Sequence, residues 1–234
     1  DAHRDNLICA TCYDRGVFGL AALDLASGRF EILELPNEEA LTSELHRLNP
    51  AELILPDVEG YPSSATDRIG ARRRPLWEFD LDSAHRILTR QFGTRDLSAF
   101  DCESLPTAVR AAGCLLHYVS ETQRTDLPHI QGLTPLRNVD AIQIDASSRR
   151  NLELTMNIAG GADNTLFSVM DRTSTAMGSR LLHRWINRPL VDHAVLRERQ
   201  EAVQHLTLNH RYESIQVHLR AIGDCERILA RVAL

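Results

Sequence analysis

The sequence predicts a two-part chain, an α/β domain over residues 1–134 followed by an all-α domain over residues 135–234. Proline distribution is the first sign: eight of the nine prolines lie at or before Pro135, among short apolar runs and turn signals, and only Pro189 lies beyond it. Charge divides at the same place. Residues 1–134 carry 13 arginines against 21 acids, a net of −8, and residues 135–234 carry 13 against 11, a net of +2. The composition changes over 126–135, which marks the boundary. A chain of 234 residues with 43% hydrophobic and 25% charged residues can bury a core in each part.

The first domain reads as β-β-β-α-β-α. Residues 7–12, 17–25 and 29–33 read as strands, and Ala26-Ser27-Gly28 makes a hairpin turn between the last two. A helix follows over 38–48, then a short buried strand at 53–55 and another expected at 77–79. Helices are expected over 83–91 and 105–119, the latter with Leu105, Val109, Ala112, Leu116 and Val119 on one face. Three antiparallel strands, a helix and a parallel strand resemble the ribonuclease H-like arrangement.

In the second domain a helix starts at Thr173–Thr175 and places Met177, Leu181 and Trp185 at i, i+4, i+8 on an expected packed face. Arg180, Arg184 and Arg188 share another side. Pro189 closes this helix, because it lacks an N–H and biases the preceding residue away from helical geometry. Asp192 is the expected N-cap of the next helix, over 192–206, with Val191 and Leu196 as its hydrophobic staple. Gly160-Gly161 reads as a helix break. Residues 224–234 form an amphipathic helix expected still to be running where the sequence stops; the start, which has neither methionine nor signal peptide, is expected to be a cut as well.

Several functions are disfavoured by what the residues can do. No run approaches the ~18 apolar residues of a membrane span. All 26 basic residues are arginine, so no phosphate-binding loop of the type that needs a lysine lies here. Cys9 and Cys12 form one C-x-x-C inside a strand-like run and are read as buried small side chains; five scattered cysteines suit a reducing compartment. No metal site is expected from the ten dispersed histidines. A nuclease needs several carboxylates converging on two metal ions. The strand at 7–12 has none, and Asp5, Asp14 and Asp24 read as turn or edge residues. Nor does a G-x-S-x-G stand anywhere. Arg72-Arg73-Arg74, stopped by Pro75, is expected to be a solvated loop or to make local salt bridges.

The words Asp171-Arg172-Thr173, Met177-Gly178-Ser179-Arg180-Leu181-Leu182 and Trp185-Ile186-Asn187-Arg188-Pro189-Leu190 closely resemble the core domain of the MutS family of bacterial DNA mismatch-recognition proteins. The run 145–154, with Arg150 and Asn151, resembles the family's core-entry motif, Ser148 standing where threonine is usual. Upstream, RRRPLWEFDLDSA, QFGTRDL, AAGCLLHYVSETQRTDLPHI and LDLASGRF resemble its connector domain, so the resemblance covers nearly the whole chain.

That resemblance implies a ribonuclease H-like connector (1–134) and the first part of the helical core with its lever helices (135–234), taken from a longer cytoplasmic, nucleoid-associated protein. Such a parent would be a homodimeric, DNA-dependent ATPase that binds mismatched DNA, ATP and Mg²⁺ in mismatch repair, with the catalytic domain elsewhere. No phenylalanine here is followed two places on by glutamate, so the family's mismatch-reading motif is absent from these residues. The fragment is therefore expected to hold no catalytic, cofactor or metal site and to bind DNA weakly or not at all. Its role would be allosteric, coupling DNA binding to the ATPase and offering a docking face for MutL, the protein that carries the repair signal onward. Exposed residues of the 83–91 helix and the loop after it (Arg86, Arg90, Gln91, Thr94, Arg95) are the expected docking residues. Gly178, a helix-interior glycine, is expected where a neighbouring backbone or bulky group comes close. Alternatives are an active ribonuclease H-like nuclease and a stand-alone helical interaction scaffold.

Overall fold

A computed structural model describes His3, residues 5–124 and residues 127–233. Asp126, within the expected linker, and Leu234, at the end of the expected last helix, lie outside the described residues. The chain divides into two compact units: residues 6–137 with the chain from Leu229, and residues 138–228 with Asp5.

The first unit is built on strands β1 (Leu7–Asp14), β2 (Val17–Asp24), β3 (Arg29–Leu35), β4 (Glu52–Pro56), β5 (Ala71–Arg74) and β6 (Thr134–Pro135). They form one mixed sheet in the order β5-β4-β1-β2-β3-β6. Neighbours among β1, β2 and β3 run antiparallel, while β4 is parallel to β1, β5 to β4 and β6 to β3. β1 is buried on both faces over residues 7–12, which is why that stretch is apolar at successive positions rather than alternating, save for the buried Thr11, whose hydroxyl meets that of Tyr61. Asp24 closes the β2–β3 hairpin: it is fully buried and accepts hydrogen bonds from the Ala26 N–H (3.1 Å) and the Ser27 hydroxyl (2.8 Å).

Helices cover both faces. α1 (Glu38–Leu48) and the short α2 (Ser63–Thr66) bury Leu41, Leu45 and Ala65 with Leu7, Cys9 and Leu20. α3 (Leu81–Phe92) and α4 (Pro106–Gln123) cover the other face, where Ala84, Leu88, Ala112 and Leu116 meet Ile8, Ala10 and Ile32. The helix ends follow from their residues. Asn37 and Asp80 accept the first-turn N–H groups of α1 and α3, Gly93 ends α3 in a left-handed conformation, and Pro106 opens α4. α4 lies very close to its neighbours, because a Cβ on Gly113 would stand 2.3 Å from the Ala84 Cβ and one on Gly19 would stand 2.2 Å from the Thr107 carbonyl oxygen.

Two expectations fail here. Residues 76–79 form a 3₁₀ turn, not a strand, because Pro75 fixes the entry and the turn buries Phe79 and Glu78. The arginine run is the edge strand β5, not a loop. Its expected salt bridges are present: Arg74 reaches Glu78 (2.7 Å) and Glu121 (2.6 Å), and Arg73 lies 3.4 Å from Asp57.

The second unit contains α5 (Ala146–Asn151), α6 (Leu166–Met170), α7 (Ala176–Asn187), α8 (His193–Thr207), α9 (Arg211–Leu219) and the start of α10 (Cys225–Ala233). Asp145, Thr165, Thr175 and Asp192 cap α5 to α8 through their side chains. α7 stops at Asn187 with Arg188 extended before Pro189, as expected. The Pro189 carbonyl then accepts the Ile142 N–H (2.8 Å), and Leu190 pairs with Ala141. Asn209 and His210 are both left-handed and separate α8 from α9.

A buried ion-pair network and a candidate docking surface

The charged interior of the second unit centres on Arg180, whose side chain is wholly buried. Its guanidinium holds Asp224 with two parallel hydrogen bonds, 2.7 and 2.8 Å, and Glu226 with a third of 2.6 Å. Asp5 lies 3.9 Å from its Nε and 3.4 Å from Arg184, and Arg227 lies 3.7 Å from Asp224. A planar fork against a carboxylate is the strong form of this interaction. The hydrogen bonds from Arg180 hold the Asp224 carboxyl below its ordinary value, and Asp224 in turn is the main reason the guanidinium is held more firmly in its charged form.

α7 therefore faces inward with polar residues. Ser179, Arg180 and Asn187 are buried, while Leu181 and Trp185 are each 41% exposed and Met177 is half-buried. This corrects the expected packed face. The inner side is selected by hydrogen bonding: Asn187 accepts from Arg149 (2.7 Å), Ser179 donates to Asp171 (2.5 Å), and Arg180 holds three carboxylates. The Trp185 ring is covered by the Arg199 guanidinium, 3.8 Å above it, rather than by an apolar neighbour.

Among the other signature residues, Asp171 gathers the turn before α7, accepting from the Thr173 N–H (3.1 Å) and hydroxyl (2.7 Å). Burial pushes its pKa up, but the hydrogen bonds from Ser179 and Thr173 outweigh this and hold it low. Arg172 is exposed and turns back to the Asp171 carbonyl. Arg150 and Asn151 are exposed; of the two adjacent arginines it is Arg149 that turns inward, to Asn187. At Gly178 the nearest atoms to an added Cβ are the side chains of Thr175, 3.0 Å, and Thr173, 3.4 Å. The closeness expected there comes from the helix's own cap, not from a neighbouring backbone. Asp5, Asp224 and Glu226 were missed as site residues; their only sequence signal is opposite charge.

The expected docking residues separate. Arg86, Arg90 and Arg95 are exposed on α3 and the loop after it, and Thr94 is half-buried. Gln91 is turned inward instead, donating from Nε2 to the carbonyls of Leu127 (2.7 Å) and Ile130 (3.0 Å). Its amide is committed to holding the chain after α4.

The acids of the sheet do not converge. Asp14 ends β1, which runs past its expected end at Cys12, and lies 3.6 Å from Arg110; Asp24 ends β2. In the antiparallel register Asp24 pairs with Leu7, at the far end of β1. At ~3.4 Å per residue the two carboxylates stand roughly 24 Å apart along the ladder, against ~3.5–4 Å between the ions of a two-metal centre. Among the described residues no group of three or more His, Cys, Asp and Glu is gathered. Cys9 and Cys12 are both buried, on opposite faces of β1, one beside α1 and the other beside α4. Burial pushes each thiol up to about 12. Among the described residues no helix is long and apolar enough to cross a membrane.

These features describe an α/β module followed by a helical module with a charged interior. The chain belongs to the MutS family: the family model for MutS domain II matches residues 6–131 and that for MutS domain III matches residues 147–234. It is thus a mismatch-repair, MutS-like chain with the connector preceding the core.

Proposed function

We propose that this chain is a transmission part of a MutS-like mismatch-repair ATPase, joining DNA binding to ATP hydrolysis performed by other parts of the protein, and that its first unit docks MutL. The observation that carries the reading is the succession of the two MutS modules along one chain. The strand order and directions of the first unit support a ribonuclease H-like sheet, and the ~24 Å separation of Asp14 and Asp24 argues against a two-metal nuclease on it. Without any lysine, residues 1–234 contain no lysine-type phosphate loop. ATP, Mg²⁺, mismatched DNA and homodimerisation then belong to the whole protein, in a bacterial cytoplasm near the nucleoid.

The docking face consists of Arg86, Arg90, Thr94 and Arg95, presented by one rigid helix and its C-terminal loop. On an otherwise acidic unit these three exposed cations offer an acidic partner a distinct mark. The test is a titration of the chain against MutL by interferometry, beside matched and mismatched duplex DNA and a Mg²⁺-dependent nuclease assay. Charge reversal at Arg86 and Arg90 is expected to weaken MutL binding at least about tenfold, equivalent to ~1.4 kcal/mol. Unchanged binding by a folded double variant refutes the docking face, and cleavage of DNA or RNA by the chain refutes the non-catalytic reading.

A further inference from the structure

We propose that the outer edge of β5 is a docking site for an extended acidic segment of another protein, which adds to the sheet as a further strand beside Arg72 and Arg73 and meets the exposed side chains of Ile69, Leu76 and Trp77. These residues are distinct from Arg86, Arg90, Thr94 and Arg95, so failure of either surface leaves the other standing.

The backbone supplies the edge. β5 stands last in the sheet and pairs on one side, with β4. On that side the Gly70 and Arg74 carbonyls accept from the N–H groups of Leu53 (3.1 Å) and Asp57 (2.8 Å). Successive residues of a strand direct their N–H and C=O groups alternately to its two edges. The Ala71 carbonyl and both groups of Arg73 therefore face away from β4, while the Ala71 N–H goes to the Arg68 carbonyl (3.1 Å). Among the described residues no strand lies on that outer side. Outward backbone groups in this order select an extended chain rather than a helix or a duplex. Pro75, which has no N–H, limits the added strand to about four residues.

The side chains select the charge. Arg74 is engaged by Glu78 and Glu121, whereas Arg72 and Arg73 are exposed. Arg73 meets Asp57 at 3.4 Å in a pair open to solvent, and such a pair holds weakly. Here stands the chain's one run of three arginines, within residues 1–134 whose net charge is −8. A second copy pairing edge to edge would set these arginines against one another, and like charges across a ladder repel. Arginines and Pro75 alone would serve to guard the edge against such pairing. A guard has no use, however, for Ile69 at 99%, Trp77 at 70% and Leu76 at 59% exposure within three residues of the strand. Tryptophan and arginine are the side chains that most often anchor an interface.

Fluorescence polarisation with a capped, fluorescein-labelled peptide of alternating glutamate and valine tests the site on the full chain. Binding is expected, and it should weaken at least about tenfold when alternate peptide amides are N-methylated or when lysine replaces glutamate. Arg73→Pro, which removes the outward N–H but none of the ladder to β4, should weaken it by a similar factor, and Arg73→Gln by about threefold. Hydrogen exchange locates the complex. The Arg73 amide should exchange rapidly in the free chain and slowly with peptide bound, while the Arg72 and Arg74 amides, paired to β4, are slow in both. The N-methylated arm uses the unaltered chain, so it decides the matter even if Arg73→Pro fails to fold. No binding of the acidic peptide, or equal binding of its N-methylated form, overturns the proposal. So does tighter binding of a single-stranded oligonucleotide of equal charge that leaves the Arg73 amide unprotected.

Discussion

Replacing Gly113 by alanine sets two well-known effects against each other. In a helix interior the change alone favours folding by about 1 kcal/mol. Here, however, the new Cβ would stand 2.3 Å from the Cβ of Ala84 and 2.5 Å from its Cα, so the atom in the way is nearly backbone and cannot rotate aside. Restoring ordinary contact requires α3 and α4 to separate by more than about 1 Å across the interface that buries Leu88, Ala112 and Leu116. Overpacking of this kind costs about 3 kcal/mol at the upper end of its usual range, leaving roughly 2 kcal/mol of net destabilisation. For a unit of this size that is a fall of about 6–10 °C in Tm. Calorimetry resolves it, with Gly178→Ala as the control: there the nearest obstacle is the tip of the Thr175 side chain at 3.0 Å, and the change should stay within about 1 kcal/mol of neutral. A Gly113→Ala chain that melts at or above the parent refutes the claim that these helices meet at the glycine.

The charges and thiols give two further expected outcomes. Asp224 and Asp171 have depressed pKa values in the folded chain, so the unfolded state binds protons more readily than the folded one as pH falls. Their stabilisation is complete above the ordinary carboxylate value of 3.8 and is lost progressively below about pH 4. Acid titration followed by circular dichroism should show the loss, and Asp224→Asn should flatten it; an unaltered profile contradicts the network. A thiol reagent at pH 8 should label Cys225 alone, because Cys9, Cys12, Cys102 and Cys114 are buried and burial raises the pKa of each. Rapid labelling of more than one thiol without denaturant contradicts the packing of the sheet.

How far the sequence could be read depended on whether local chemistry decided the outcome. Helix α1 falls at its expected bounds because Asn37 and Asn49 cap both ends. The stop at Pro189 and the Asp192 cap follow from single residues in the same way. The face of α7 did not follow, since periodicity ranks Leu181 and Trp185 as the buried stripe whereas Arg180 is taken inside by carboxylates 44 and 46 residues away. Pairing across such distances leaves no local trace. β5 was hidden for a related reason: three arginines look solvated until β4 supplies a ladder and Glu78 and Glu121 supply countercharges. Of the residues expected to dock a partner, the exposed arginines were evident from their polarity, but Gln91 gave no sign that two carbonyls near residue 130 would claim its amide.

That amide ties the last turn of α3 to the chain that follows α4. Leu127 and Ile130 hang from Gln91, and a few residues on the chain becomes β6, hydrogen-bonded along β3 at Glu31 and Ile32. The last turn of α3 is thereby joined to the chain segment that becomes the outermost strand, just ahead of Arg137, the last residue of this stretch of the unit. Losing that amide with Gln91→Ala would remove the polar link and leave Leu127 and Ile130 held by the apolar cluster they share with Leu88.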